Sequence, residues 1–358
     1  MHQGVADAVR GTPPQTPLVV VITGASSGIG RATAVLLTRS GARVVLAARS
    51  ESALRQAQRG CQEGLTLVVP TDVSKAGEVD ALIAAAVERY GRVDAVVHSA
   101  AVLAYGRFED IPPEVFDTSI RVTLLGTSNV ARAALRQFAL QGGGSLVVVG
   151  SLLGKIAVPY MSAYVTAKWA VHGLVRCLQI EARQTPNVSV SLVTPGGVDT
   201  PVYTQAGTYV GRHGRPPPPV SSPEKVAQII MRRIENPSRE TGVGPANGLT
   251  VGGFRFLPAI FDRLVTPLMR VGGLSRGHVA ATAGNVLQPQ PDGNATHGSW
   301  GRHWLRWVGL GGAVSAALAM SRGLGRTTSA RTDRAPNGLG PKGQSPNGLR
   351  RIRVKTGS

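Results

Sequence analysis

Tyr164 and Lys168 stand four residues apart at the start of a stretch of helical spacing that runs from about Ser162 to Arg183. Residues four apart share a helix face, so a phenol and an ammonium are placed side by side. A phenol with its ordinary pKa near ~10 is a poor base at neutral pH, and a neighbouring ammonium favours its phenolate and lowers that value. Such a pair is suited to take or give a proton at a carbonyl or alcohol oxygen. Ser151 follows the run Ser145 to Gly150, which reads as a strand and puts the hydroxyl at the carboxyl edge of a sheet, where open α/β folds bind ligands. It can hydrogen-bond the same oxygen. Singly, each residue is ordinary: Tyr-x-x-x-Lys recurs by chance on exposed helices, and a serine after a strand commonly caps the next turn.

A second constellation lies near the start of the chain. Leu18 to Thr23 is an unbroken apolar run, and Thr23-Gly24-Ala25-Ser26-Ser27-Gly28-Ile29-Gly30 separates it from a helical pattern. Between a strand and a helix, glycines let the backbone approach a pyrophosphate while the helix N-terminus offers N–H groups and positive potential. The same glycines would also serve a plain tight turn; their place in the first strand–helix–strand unit favours dinucleotide binding. After the second strand the chain reads Ala47-Ala48-Arg49. A carboxylate there would accept a ribose 2′-hydroxyl and repel a 2′-phosphate, whereas an arginine can pair with that phosphate. Arg49 therefore points to NADP(H) over NAD, its plainer alternative being a solvated surface arginine. A nicotinamide would handle hydride beside the proton chemistry of Tyr164.

The elements that must position these residues alternate. Strands are expected at Leu18 to Thr23, Arg43 to Ala48, Leu65 to Val69, Asp94 to Val97, Ser145 to Gly150 and Val188 to Val193, and helices at Glu51 to Arg59, Lys75 to Tyr90, about Pro113 to Leu140 and about Ser162 to Arg183. Unbroken apolar strands read as buried on both faces, and strands joined through helices need crossover connections. The fold class is α/β, a doubly wound parallel sheet of the Rossmann type, as a single domain with a C-terminal extension. Beyond Thr200 the pattern loosens: Pro216 to Pro219 marks a loop with the character of a substrate lid, and Ser221 to Ile234 returns to helical spacing. Phe254 to Val271 is apolar with Pro258 and Pro267 inside it, so it cannot be one straight helix.

The domain reading is a polar lead over 1–16, a Rossmann-type domain over 17–287 and a low-complexity basic tail over 288–358. The lead lacks the pattern of a secretory signal. Two cysteines, Cys61 and Cys177, make no disulfide framework, and no Cys/His cluster has zinc-ligand spacing; no metal is expected. The formal net charge is +19, but nine Lys/Arg against the single acid Asp333 lie from Arg322 onward, so the tail holds much of it. Pro-Asn-Gly-Leu occurs twice there, at 336–339 and 346–349. Trp304 to Met320 is apolar apart from Arg306 and Ser315, short of the roughly 20 residues of a membrane span, and reads as a docking or interfacial helix. Weak membrane-surface contact through this tail is one reading; nucleic acid is not expected, since no recognised nucleic-acid module accompanies the arginines. A cytoplasmic location is expected.

Taken together, Thr23 to Gly30, Asp72, Ser151, Tyr164, Lys168 and Pro195-Gly196-Gly197-Val198-Asp199-Thr200 resemble the short-chain dehydrogenase/reductase family, over roughly Leu18 to Gly244. The resemblance implies Tyr164 as general acid/base, with Ser151 orienting the substrate and Lys168 also holding the nicotinamide ribose. It further implies Asp72 and Val73 at the adenine, Ser99 and Ala100 beside the cofactor, and Pro195, Gly196, Val198 and Thr200 around the nicotinamide. It makes the expected activity an NADP(H)-dependent interconversion of a carbonyl and an alcohol on an uncharged, apolar small molecule, in a homodimer or homotetramer. Two positions depart from the family pattern. His98-Ser99-Ala100-Ala101 stands where Asn-Asn-Ala-Gly is usual, and Thr123 stands where an asparagine usually helps hold a water linked to the lysine. Threonine offers fewer hydrogen bonds, so Thr123 enters the catalytic set as a substitute relay, and a catalytically weak cofactor-binding or interaction protein is the alternative. His98 and His172 are expected to be packed or solvated rather than extra proton carriers.

Overall fold

The computed structural model describes residues 17–298 and Trp300. The lead over 1–16, the apolar run from Trp304 and the basic end lie outside the described residues. Strands and helices alternate through β1 (Val19–Thr23), α1 (Gly28–Arg39), β2 (Arg43–Ala48), α2 (Glu51–Gln58), β3 (Thr66–Pro70), α3 (Ala76–Tyr90) and β4 (Ala95–His98). They continue through α4 (Pro113–Ile120), α5 (Gly126–Gln141), β5 (Gly144–Val149), α6 (Ser162–Glu181), β6 (Val188–Pro195), α7 (Pro223–Glu235) and β7 (Glu240–Val243). Two further helices follow, α8 (Asn247–Phe256) and α9 (Pro258–Leu268). The seven strands form one sheet in the order β7-β6-β5-β4-β1-β2-β3, with every pairing parallel. The chain thus winds outward from β1 in both directions, and the switch between β1 and β4 opens the crevice where such sheets bind ligands.

Side chains of one strand alternate between the two faces. Val21, Val45, Val96, Leu146 and Val148 pack with Val79, Leu82, Val130, Phe138 and Val171 of α3, α5 and α6. Val20, Ile22, Val44, Leu46, Val97 and Val147 pack on the opposite side with Leu37 of α1 and Val226 and Ile230 of α7. Both faces are apolar, which is why these strands read as unbroken runs. Each fully buried aliphatic side chain contributes about 1.5–3 kcal/mol, so the sheet is a firm base for the loops at its carboxyl edge.

The helix expected over about 113–140 is present but interrupted: α4 and α5 are joined by a π-helical turn, Arg121–Leu125, and Thr127 Oγ1 donates to the Thr123 carbonyl across it (2.6 Å). The apolar stretch with Pro258 and Pro267 breaks at Leu257; Pro258 opens α9, where the missing N–H costs nothing. The edge strand β7, Glu-Thr-Gly-Val, lacked a readable pattern. Residues 288–298, expected in the tail, pack on the domain, with a 3-10 turn at Pro291–Gly293. Among the described residues no helix is long and apolar enough to cross a membrane, and no group of His, Cys, Asp and Glu could hold a metal ion.

Phe138 is 0% exposed, whereas Leu140, two residues on in the same helix, is 85% exposed. Phe138→Ala is expected to lower unfolding free energy by about 3–5 kcal/mol and Leu140→Ala to change it by less than about 0.5 kcal/mol, as read from urea denaturation followed by circular dichroism.

Candidate active site

The glycine loop leaves β1 and enters α1. Gly24 has φ +71, and a Cβ there would come within 2.8 Å of the Ala100 nitrogen; at Gly30 it would lie 2.3 Å from the Gly24 carbonyl oxygen. Only glycine lets the loops after β1 and β4 approach this closely. Ser99 fastens them, its hydroxyl donating to the Thr23 carbonyl (2.7 Å). His98, at the end of β4, is buried with Nδ1 2.8 Å from Thr23 Oγ1 and Nε2 3.0 Å from Thr127 Oγ1. Because the Thr127 hydroxyl donates to the Thr123 carbonyl, it accepts from His98 Nε2–H, and Thr23 donates to Nδ1. Burial, aided by the Lys168 charge, holds His98 down at about 3. It is a neutral strut at physiological pH, as expected of a packed histidine.

At the N-terminus of α1 the Gly28 N–H donates to the Ala295 carbonyl (2.9 Å), and the Ser27 hydroxyl donates to the same oxygen (3.1 Å). Arg49, at the end of β2, is half-buried; its Nη2 donates to the Asn285 carbonyl (2.6 Å) and its Nη1 to that of Val286 (3.3 Å). Burial lowers its pKa and Asp72 pulls it back up. Asp72 Oδ1 accepts from the backbone N–H and hydroxyl of Ser74 (2.9 and 2.7 Å).

Ser151 lies directly after β5, buried, its Oγ accepting the Leu153 N–H (3.1 Å) and its own N–H donating to His172 Nε2 (3.4 Å). Burial takes His172 down to about 4, so it accepts as a neutral ring. Tyr164 and Lys168 sit in the first two turns of α6, with Lys168 Nζ 5.7 Å from the Tyr164 ring centroid and donating to the Val149 carbonyl (2.9 Å). Burial pushes the Tyr164 phenol up to about 12, against the pull of its hydrogen bond with Ser151. Burial brings the Lys168 ammonium down to about 8. The expectation was a phenol lowered by the ammonium; here loss of hydration raises it, and the hydrogen bond that opposes the rise comes from Ser151.

One cavity of about 790 Å3 is bordered by Ser151, Tyr164, Lys168, the glycine loop, Arg49, Asp72, Val73, Ser99, Ala100, Pro195, Gly196, Val198 and Thr200. Of the residues expected in the site only Thr123 is not on its wall. Thr123 is buried in the π-helical turn, its hydroxyl 3.4 Å from both the nitrogen and the oxygen of Val102. The cavity continues past Met161 and Tyr203 to an apolar end formed by Leu257, Phe261, Leu264 and Leu268 of α8 and α9 and the residues between them. Asn285, Pro289, Gln290 and Asn294 also line it. Sequence reasoning missed these last four, because polar residues in a Gly/Pro-rich stretch carry no periodicity to place them.

A sequence profile described as short chain dehydrogenase matches residues 18–209. An uncharacterized oxidoreductase of Bacillus subtilis (strain 168), YxnA, is 37% identical over 264 residues, covering 70% of this chain and 72% of the relative. An uncharacterized oxidoreductase of Staphylococcus aureus (strain MRSA252) is 37% identical over 222 residues, 62% of this chain and 93% of the relative. Among solved structures, an alcohol dehydrogenase from the archaeon Thermococcus sibiricus complexed with 5-hydroxy-NADP is 32% identical with a TM-score of 0.55, covering 64% of this chain and 96% of that one. A variant actinorhodin polyketide ketoreductase with NADPH is 27% identical with a TM-score of 0.57, covering 65% and 97%. With the seven-stranded parallel sheet, the glycine loop and the gathered Ser151, Tyr164 and Lys168 already in view, these similarities establish that the chain belongs to the short-chain dehydrogenase family of oxidoreductases.

Proposed function

We propose that the protein is an NADP(H)-dependent reductase of an uncharged, bulky, apolar carbonyl compound, with Tyr164 as the proton donor. The observation that carries this reading is the single cavity that joins the glycine loop and Arg49 at one end to Ser151, Tyr164 and Lys168, and these in turn to an apolar wall. Residues on that cavity suit a dinucleotide. The glycine loop borders the cavity at the start of α1, a setting that suits a pyrophosphate, and Asn285 Oδ1 is a buried acceptor without a hydrogen-bond partner among the described residues. Ala47 and Ala48 put no carboxylate at the end of β2, and Arg49 directly after them favours the 2′-phosphate. The NADP-type ligands of the two similar solved structures support the same choice.

When bound, the nicotinamide supplies hydride to the carbonyl carbon. Everything else falls to the chain. The Ser151 hydroxyl holds the substrate oxygen beside the Tyr164 phenol. A phenol held at about 12 is protonated at neutral pH, so Tyr164 donates its proton to that oxygen as negative charge develops there. Lys168 adds a positive charge next to the ring. Gly24, Ser26, Ile29 and Gly30 hold the phosphates, whereas the Ser27 hydroxyl and Gly28 N–H, expected there too, bond the Ala295 carbonyl instead, and Val198 and Thr200 border the nicotinamide. Thr123 acts as a positioning residue that ties the loop after β4 to the π-helical turn. Leu257, Phe261 and Leu264 offer an aliphatic or polycyclic substrate body a dry surface and offer a charged one no partner. Leu140 on α5 and Ile180 on α6 are exposed, which supports pairing of copies through these two long helices.

Tyr164→Phe is expected to lower kcat for carbonyl reduction by about 10²–10⁴-fold while leaving NADPH affinity within about twofold, as measured by nicotinamide absorbance and fluorescence titration; unchanged turnover would sink the assignment. Lys168 is charged below about 8 and loses its proton above it, so kcat/KM for reduction should be flat at lower pH and fall as pH rises through that value. Arg49→Ala should weaken NADPH binding by roughly 10–100-fold, the loss of a charge-assisted contact, with NADH binding little changed.

A further inference from the structure

The chain beyond α9 returns across the mouth of the cavity. Thr282 pairs with Thr208 in both directions, N–H to carbonyl (3.0 and 2.8 Å). Val286 is 0% exposed and joins the main core cluster. From that root the segment 284–298 is tied to three separate parts of the site. At the end of β2, Arg49 donates to the carbonyls of Asn285 and Val286. At the glycine loop, Gly28 N–H and the Ser27 hydroxyl donate to the Ala295 carbonyl. Along the chain after β6, Gln205 accepts the Asn285 N–H (2.8 Å), while its side-chain amide donates to Asn294 Oδ1 (3.0 Å) and the Gln290 carbonyl (3.3 Å). Gly298 N–H donates to the Asp199 carbonyl (3.3 Å).

A segment held at so many points is an ordered wall. It does not fill the space beneath it, because Asn285, Pro289, Gln290 and Asn294 share one cavity of about 790 Å3 with Ser26, Ile29 and Asp72. The carbonyls that bond Arg49 engage one N–H on each terminal nitrogen, which leaves part of the guanidinium's five-donor fork for an anion and fixes the fork's direction. The unpartnered Asn285 Oδ1 is an acceptor on the wall, a match for the amine or hydroxyl donors of a nucleoside. The segment itself, 284–298, lies beyond the 18–209 region that the family profile matches.

We propose that Gly284–Gly298 is a cofactor-retaining strap. It forms the outer wall of the dinucleotide cleft, presents Asn285 and Asn294 to the bound nucleotide, aligns Arg49 and must lift before the nucleotide leaves. The strap rests on the NADP(H) reading above. Its consequence is slow cofactor exchange, so release rather than chemistry would limit turnover on a good substrate.

The test uses the full chain, with NADPH as the probe. Hydrogen exchange of residues 284–298 is compared with and without saturating NADPH, and NADPH release is timed by stopped-flow chase for wild type, Asn294→Ala and Val286→Ala. Asn294→Ala removes a tether and a cleft contact, whereas Val286→Ala loosens the strap's root without touching the cavity. NADPH is expected to increase protection across the strap, and each variant to speed release by roughly five- to tenfold, the effect of about one hydrogen bond or small packing defect. Loss of strap protection on binding would mean that strap and nucleotide compete, and would overturn the proposal, as would release rates unchanged in both variants. Failure of wild type and both variants to bind NADPH would instead overturn the nucleotide reading, and the strap with it.

Discussion

The loops that leave β1 and β4 touch at backbone distance, and the geometry of the site depends on that contact. A side chain at Gly24 or Gly30 would force the loops apart, and the glycine loop would separate from Ser99 and Ala100. Hydrogen bonds from Ser99 to the Thr23 carbonyl and through His98 to Thr23 and Thr127 keep the two loops together. His98 can do this because burial keeps it neutral; a charged imidazole in the same place would lack one acceptor and face Lys168 across the site. A residue that departs from the family's usual asparagine therefore still performs a joining role, by linking two strands and the start of α5 at once.

Electrostatics in the chemical half of the site follow from burial. Desolvation raises the phenol of Tyr164 and lowers the ammonium of Lys168, so both groups are biased toward their neutral forms. A phenol held at about 12 keeps its proton at neutral pH, and in the proposed reaction the Lys168 ammonium and the Ser151 hydroxyl would offset the cost of forming phenolate. Ser151 is itself positioned from below, since its N–H rests on the neutral ring of His172. The serine that closes β5 and the histidine one turn past Lys168 are thus linked through the fold, although twenty-one positions separate them in the chain.

Around this centre, the two ends of the cavity differ in character for a physical reason. Strand ends of a parallel sheet supply backbone N–H groups and short polar side chains, which suit phosphates and ribose. The later helices α8 and α9 have no strands to cover, so their apolar faces are left to line the remaining space. Leu249, Leu257 and Ile260 are exposed while also bordering the cavity.

Much of this was legible in the chain itself. Unbroken apolar runs and helical spacing determined the α/β alternation, since a strand buried on both faces has no polar side to display, and β2 appears with the boundaries Arg43–Ala48 that its pattern implied. Motif spacing likewise determined which residues meet at the carboxyl edge, because a parallel sheet brings every strand end to the same side. Three features were decided only in the tertiary structure. The protonation of Tyr164 depends on how much water burial removes, which no local pattern records. Thr123 is turned to Val102 by the π-helical turn, an irregularity without a sequence period. Residues 288–298 read as part of a low-complexity tail because polar and glycine-rich segments acquire order only from partners distant in sequence, and the partners of this segment and the residues just before it, Arg49, Gly28 and Gln205, lie about 80 to 270 positions earlier.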